Sequence, residues 1–450
     1  MASNLLRALL QEEEDDDDDD YATLLAIASL EEHHSSECQS SRRRGSIPRH
    51  AVIQRNRAEG HERLFHDYFS ESPVYPAKLF RRRFRMHRPL FLRILFAVET
   101  HDSYFVQKRD AAGKIGLSSL QKVTAAMRML AYGVSADSVD DYVPIGESTA
   151  IESLGRFTKA IVVIFGDEYL RSPTDEDTAR LLAIGNGDEY LRSPTDEDTA
   201  RLLAIGKQRG FSGMLGSIDC MHWRWKNCPA AYHGMYTGHN HTPTIILEAV
   251  ASYDLWIWHA YFGLPGALND INVLERSSVF SQLAEGHGPT VNYTVNGHEY
   301  TMGYYLADGI YPSWATFVKT ISLPQGNKRK HFATLQESAR KDVERAFGVL
   351  QSRFAIVRGP ARSWDEKILK NIMQACIIMH NMIVEDERND EYIDFTYDAA
   401  EEAPTISVSH KRTIDLCEFI QNHHRIRDRQ THSQLQLDLV EHLWERNGGL

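Results

Sequence analysis

Cysteine is scarce in this chain. Its 450 residues include five, Cys38, Cys220, Cys228, Cys376 and Cys417. So few thiols, odd in number and widely spaced, build no disulfide framework and point to a reducing compartment. No run of 18 or more apolar residues occurs, so no membrane span is expected. The first residues, MASNLLRALLQEEEDDDDDD, lack the basic stretch and small-residue cleavage site of a secretory signal. There is no Walker A loop, no dinucleotide fingerprint and no Ser-centred nucleophile elbow. Cys220, His222, Cys228 and His233 show neither CxxC nor HExxH spacing, so they do not read as a zinc site.

What is present is charge, unevenly spread. The net charge of −12 looks wrong for a protein that handles nucleic acid. Residues 1–40, however, hold twelve acids against Arg7 alone, while residues 41–93 hold fourteen Lys or Arg against four acids. The mean hides an acidic tail followed by a basic block.

The organisation follows from composition and periodicity. Residues 1–60 read as a disordered tail, acidic then basic, because the nine consecutive acids at 12–20 repel one another and cannot be buried. This tail is either a solvated segment or one that docks a protein or competes with DNA for the basic block. Arg42, Arg43 and Arg44 resemble a nuclear import signal. Arg81, Arg82, Arg83 and Arg85 lie in an amphipathic helical stretch over 79–95, where they either snorkel at a surface or contact phosphate. Residues 61–165 read as a helical, DNA-binding region. Within it, helices over 120–132, 136–142 and 148–165 give a helix-turn-helix-like outline shared with ordinary bundles, and Ser148 and Thr149 are expected to cap the third.

Residues 166–185 and 187–206 are the same twenty residues, GDEYLRSPTDEDTARLLAIG, separated by Asn186. Two identical copies are not a drifting structural array. They read as a duplication in the coding sequence or an assembly error, with one copy surplus. The region 211–384 reads as one α/β domain. Strands are expected at 214–218, 244–252, 256–262 and 304–307. Helices are expected at 269–280, 314–320, 332–351 and 368–384. The remainder, 385–450, is an acidic and polar tail with a helix over 435–444.

Three carboxylates carry the chemistry. Asp219 closes the strand in GSIDCMHW, Asp308 closes the one in YYLADGIYP, and Glu344 lies in the helical ARKDVERAFGVL. Strand ends in one sheet bring carboxylates together, and hard oxygen donors suit Mg2+ or Mn2+. Two such ions can activate a water or 3′-hydroxyl and neutralise a leaving oxygen of a phosphodiester. Asp270, in GLPGALNDINVL, either caps a helix with Asn269 or stands behind the site. Tyr232, Tyr236, His239 and His241 either line a substrate groove or belong to an ordinary loop. Lys328, Arg329 and Lys330 form a basic loop, and Arg340 and Arg345 flank Glu344; all five are candidates for DNA backbone contact.

GMLGSIDCMHWRWKNCP, HTPTIILEAVASYDLWIWHAYFGLPGALNDINVL, GYYLADGIYPSWATFVKTI and ARKDVERAFGVLQSRFAIV closely resemble plant PIF/Harbinger transposases and their domesticated nuclease-like relatives. The resemblance runs over about 81–444. It implies a ribonuclease-H-like mixed sheet flanked by helices, with a DDE triad at Asp219, Asp308 and Glu344 as catalytic and metal-holding residues. It implies cutting and joining of double-stranded DNA at terminal inverted repeats, in the nucleus. It also implies a Myb/SANT-like accessory protein that supplies DNA binding and import; a homodimer is a further expectation, and no membrane is involved. The alternative is a domesticated, catalytically idle chromatin or transcription-associated scaffold of the same fold. The tandem copy at 166–206 departs from the family pattern.

Overall fold

The computed structural model describes residues 53, 55–169, 188–191, 196–238, 241–277, 290–388 and 416–447. The acidic tail, Arg42, Arg43, Arg44, His239 and most of the first repeat copy lie outside the described residues. Two compact units emerge: Met1–Ile164 with Lys226–Pro229 and Arg353–Cys376, and Phe165–Trp225 with Ala230–Ser352 and Ile377–Leu450.

The first unit is helical. It contains α1 (Arg57–Tyr68), α2 (Ala77–Phe84), α3 (Arg88–His101), α4 (Ser119–Tyr132) and most of α5 (Glu147–Tyr169). Aromatic rings fill its core, with Phe80 stacked on Phe84 at 4.4 Å and Phe91 against Phe84 at 4.9 Å. The expected single stretch over 79–95 is two helices. Arg85 breaks it in the left-handed region, and Pro89 fits the first turn of the new helix, where its missing N–H costs nothing.

Helix α4 starts at a reciprocal cap between Ser118 and Gln121 and ends at Gly133, with φ 64°. A Cβ on Gly133 would meet the Ala355 backbone at 3.1 Å, so both the turn and the close approach call for glycine. The expected second helix, 136–142, is a three-residue 3-10 turn, Asp137–Val139. Its Asp- and Ser-rich stretch buries Val139 and Val143 but is too short to propagate. Helix α5 starts at Glu147, so Ser148 and Thr149 sit inside its first turn and do not cap it. Most of α4 is buried.

The second unit is built on a six-stranded mixed sheet. Its strands are β1 (Asp188–Leu191), β2 (Met214–Arg224), β3 (Thr244–Ala251), β4 (Ile257–Pro265), β7 (Tyr304–Ala307) and β8 (Phe317–Lys319). Their order is β1-β4-β3-β2-β7-β8. β2, β3 and β4 form an antiparallel meander, and β7 and β8 continue it in parallel with β2. A separate hairpin pairs β5 (Thr290–Val295) with β6 (His298–Met302).

Helices α6 (Asp196–Gln208), α7 (His233–Tyr236) and α8 (Asp270–Leu274) precede α9 (Asn327–Arg353) and the short α10 (Ala355–Arg358). The last three are α11 (Glu366–Glu387), α12 (Leu416–Ile426) and α13 (Arg429–Arg446). Both faces of the sheet are covered, which is why all eight residues of β3 are buried. Neighbouring residues of β7 show the two faces. Leu306 packs with Phe332, Ala339 and Leu439 from α9 and α13, whereas Ala307 packs with Leu274, Tyr311 and Ile426.

Two expected elements differ. The segment 314–320 supplies strand β8 rather than a helix, because backbone pairing with β7 wins over local preference in so short a stretch. The helix expected at 269–280 is the short α8, with residues 278–280 outside the described residues.

The identical copies adopt different structures. GDEY of the first copy is the last turn of α5, whereas DEYL of the second is β1, paired with β4 from Asp188↔Phe262 to Leu191↔His259. The second copy then continues into α6, where Asp198, Thr199 and Leu202 are buried.

Candidate active site

Strand β2 does not stop at Asp219. It pairs with β3 as far as Arg224↔Thr244, so Asp219 lies mid-strand rather than at its end. The parallel ladder with β7, however, ends at Ser217↔Leu306. Two residues further along each chain stand Asp219 and Asp308, where β7 leaves the sheet. Asp308 directly follows β7 and accepts a hydrogen bond from the Ile310 N–H at 2.5 Å, which turns the chain away.

Helix α9 crosses this opening. Ser217 Oγ donates to the Ala339 carbonyl at 3.2 Å, and Gln336 Nε2 donates to the carbonyls of Ala307 at 3.0 Å and Val318 at 3.1 Å. These bonds hold the helix over β2, β7 and β8. They present Arg340 and Gln351 to β2, where Arg340 reaches Asp219 and Gln351 reaches Met221. One guanidinium spans the site: Arg340 Nη1 donates to Asp219 Oδ2, and its Nη2 forms an ion pair with Glu344 Oε1, each at 3.1 Å. Asp219 and Glu344 therefore face a common centre from different elements.

Electrostatics tie in the other acids. Burial raises the Asp219 carboxyl above its ordinary range, the Cys220 N–H and Arg340 oppose this, and Asp270 and Glu344 add to it. Burial also raises Asp270; a hydrogen bond from Cys220 opposes the shift, and Asp308 adds to it. Lys319 is lowered by burial and partly restored by the charge of Asp308. Tyr311, whose hydroxyl lies 3.8 Å from Cys220 Sγ, is raised far by burial beside these acids.

Asp219, Asp270, Asp308 and Glu344 thus form one repelling group, chemically suited to a divalent cation. The ligating geometry expected of Asp219, Asp308 and Glu344 is nonetheless not assembled. Among the described residues, no three His, Cys, Asp or Glu side chains stand close enough to hold a metal ion. The physical reason is visible: Arg340 fills the space between Asp219 and Glu344, and Asp308 is turned to its own loop. Asp270 is the first residue of α8, and Asn269 is the cap, accepting from the Asn272 N–H at 2.9 Å.

The candidate DNA contacts divide. Arg83 is committed to Tyr68, to which it donates, and to the Tyr75 ring at 3.9 Å. Arg85 donates to the Arg82 carbonyl at 3.1 Å and lies over the Tyr132 ring at 5.1 Å. Arg81 and Arg82 are exposed. Lys328, Arg329 and Lys330 are not in a loop: they form the exposed first turn of α9, and Lys328 pairs with Glu441. Arg345 points away from the carboxylates, to Asp342 at 2.9 Å and the Tyr253 carbonyl at 3.1 Å. Tyr236 is buried against Trp225. Sequence reasoning passed over Lys319 and Tyr311, although both lie within a dozen residues of Asp308.

The plant transposon protein family matches residues 188–391. A domain of unknown function matches residues 60–99. The match to this transposon domain begins at Asp188, inside the second repeat copy. Three curated proteins are similar. "Protein ALP1-like" of Arabidopsis thaliana is 26% identical over 197 residues, 40% of this chain and 45% of that protein. "Putative nuclease HARBI1" of Bos taurus is 22% identical over 209 residues, 46% of this chain and 56% of that protein. The Homo sapiens protein of that name is 21% identical over 302 residues, 67% of this chain and 77% of that protein. The chain thus spans about half the length of the first two relatives. No solved structure matches. Among the described residues, no helix is long and apolar enough to cross a membrane.

Proposed function

We propose that the protein is a metal-dependent DNA endonuclease of the DDE transposase type, on a ribonuclease-H-like fold, that cuts and joins phosphodiesters at terminal inverted repeats. The observation that carries this is that Asp219 and Asp308 each stand two residues beyond the end of the β2–β7 ladder, with Glu344 on α9 linked to Asp219 through Arg340. Similarity to proteins named as nucleases supports the same chemistry.

Asp219, Asp308 and Glu344 would hold Mg2+ or Mn2+ once Arg340 leaves Asp219 and Glu344 and Asp308 turns in from its loop. Such ions, when bound, activate the attacking water or 3′-hydroxyl and neutralise charge on the leaving oxygen. The chain's own groups do the rest. Asp270 adds negative charge beside Asp219 and Asp308, and Cys220 holds its carboxyl. Lys319 sets a cation near Asp308. Arg340 balances Asp219 and Glu344, and is placed to meet a phosphate once those acids are otherwise satisfied. Arg81, Arg82, Lys328, Arg329 and Lys330 offer exposed cations to a DNA backbone. Double-stranded DNA, a Myb/SANT-like accessory protein, a homodimer and the nucleus complete the reading.

A second reading, a catalytically idle chromatin-associated scaffold, is favoured by one observation: the guanidinium seated where a shared ion would bring Asp219 and Glu344 together. One assay separates the two. Purified protein is given Mg2+ and inverted-repeat DNA, with and without the accessory protein. The nuclease reading expects cleavage by the wild type, and none by Asp219→Asn with an unchanged circular dichroism spectrum. Equal cleavage by the variant would falsify the assignment, and no cleavage by either would favour the scaffold.

A further inference from the structure

The loop between β8 and α9 connects the strand beside Asp308 to the helix that carries Glu344. At its tip Leu323 is 87% exposed, more than any other large apolar side chain among the described residues. Its φ is 52°, in the left-handed region. A bulky side chain rarely adopts that conformation, and the residue before a proline, here Pro324, is normally driven to extended backbone. The chain thus holds Leu323 in a doubly disfavoured conformation whose result is an apolar side chain in water. A lone exposed leucine needs no explanation; one held out by strain at the edge of a candidate active site does.

Its surroundings are those of a nucleic-acid contact. Leu323 lines an open groove of about 540 Å3 with Thr320, Lys330, Thr334 and Glu337. Glu337 is paired with Thr320 at 3.3 Å. The exposed Lys328, Arg329 and Lys330 follow on the first turn of α9. Cations to grip phosphate beside an apolar tip are the parts of a side chain that enters a base step and unstacks it.

We infer that Leu323 is a wedge that inserts between stacked bases of duplex DNA beside the strand being cut. The inference rests on the nuclease reading above.

The test places 2-aminopurine at successive positions of a synthetic duplex ending in a terminal inverted repeat, and reads its fluorescence with bound full-length protein. Wild type and Asp219→Asn are expected to brighten one base near the cut severalfold. Leu323→Ala is expected to lose that signal and to cleave about tenfold more slowly. Leu323→Met is expected to restore both. The side chain is exposed, so the alanine variant should fold normally. Equal fluorescence with Leu323→Ala, or no brightening at any position, overturns the wedge. Cleavage that persists in Asp219→Asn overturns the nuclease reading instead, and leaves a Leu323-dependent signal standing.

Discussion

Arg340 decides the state of the site at the level of single side chains. It is the cation nearest two carboxylates that also repel their neighbours, and it holds Asp219 down against the burial that lifts it. Replacing Arg340 with Met should therefore raise the Asp219 carboxyl further. If cleavage needs Asp219 ionised, the acid limb of its pH profile should move to higher pH. Carboxyl-carbon NMR titration would check the shift without reference to activity, and an unmoved resonance would count against the pairing.

Asp254 shows the opposite sign. Burial alone would raise it, but Arg201, Ser252 and Arg388 together hold it below its ordinary range. Its contribution to stability is full above the unfolded carboxylate range near pH ~4 and is lost as pH falls through the lowered folded value. Asp254→Asn should cost about 2–3 kcal/mol at neutral pH, since its side chain is 10% exposed and both arginines are partly screened. Denaturant unfolding at pH 7 and again at pH 3 should show that cost shrinking with acid.

At the level of elements, the tandem copies are the sharpest case of context overriding sequence. The same DEY is helical at the end of α5 and extended in β1. Tyr169 closes α5 against Trp256, while Arg201 on α6 pairs with Asp254 in the same hairpin turn. The end of α5 and the middle of α6 are therefore anchored on the same turn. Deleting 167–187 leaves one copy, with five residues between the retained Tyr and Asp196, enough to span about 20 Å. The shortened protein is expected to fold within about 1 kcal/mol of the full chain, since loop length costs little and only the edge strand β1 is lost. A thermal melt would check it, and a protein that failed to fold would mean that β1 is required.

Much else at this scale was legible. β3 and β4 announce themselves by apolar runs around Tyr253–Leu255, and α4 by the stretch 120–132 that Gly133 ends. Strand β8 was not, because three residues gain their conformation from pairing with β7. The three carboxylates could be named from strand and helix context. The bridge from Arg340 to Asp219 could not, because it joins residues 121 positions apart and depends on how α9 crosses β2.

For the whole molecule, charge placement matters more than its sum. The acidic 1–40 and basic 41–93 stretches nearly cancel, so the chain's excess of acid lies in residues 94–450 and the basic block stands apart from it. Acids tethered next to those cations would compete with phosphate at high local concentration. Removing residues 1–40 deletes twelve acids and one arginine. Duplex binding at low ionic strength should then tighten by roughly tenfold or more. The plot of log affinity against log salt should steepen, because cations released from the tail now displace counterions from the DNA. Fluorescence anisotropy with a labelled duplex over a salt series would measure both. If affinity and slope are unchanged, the tail does not compete with DNA, and the basic block binds elsewhere or not at all.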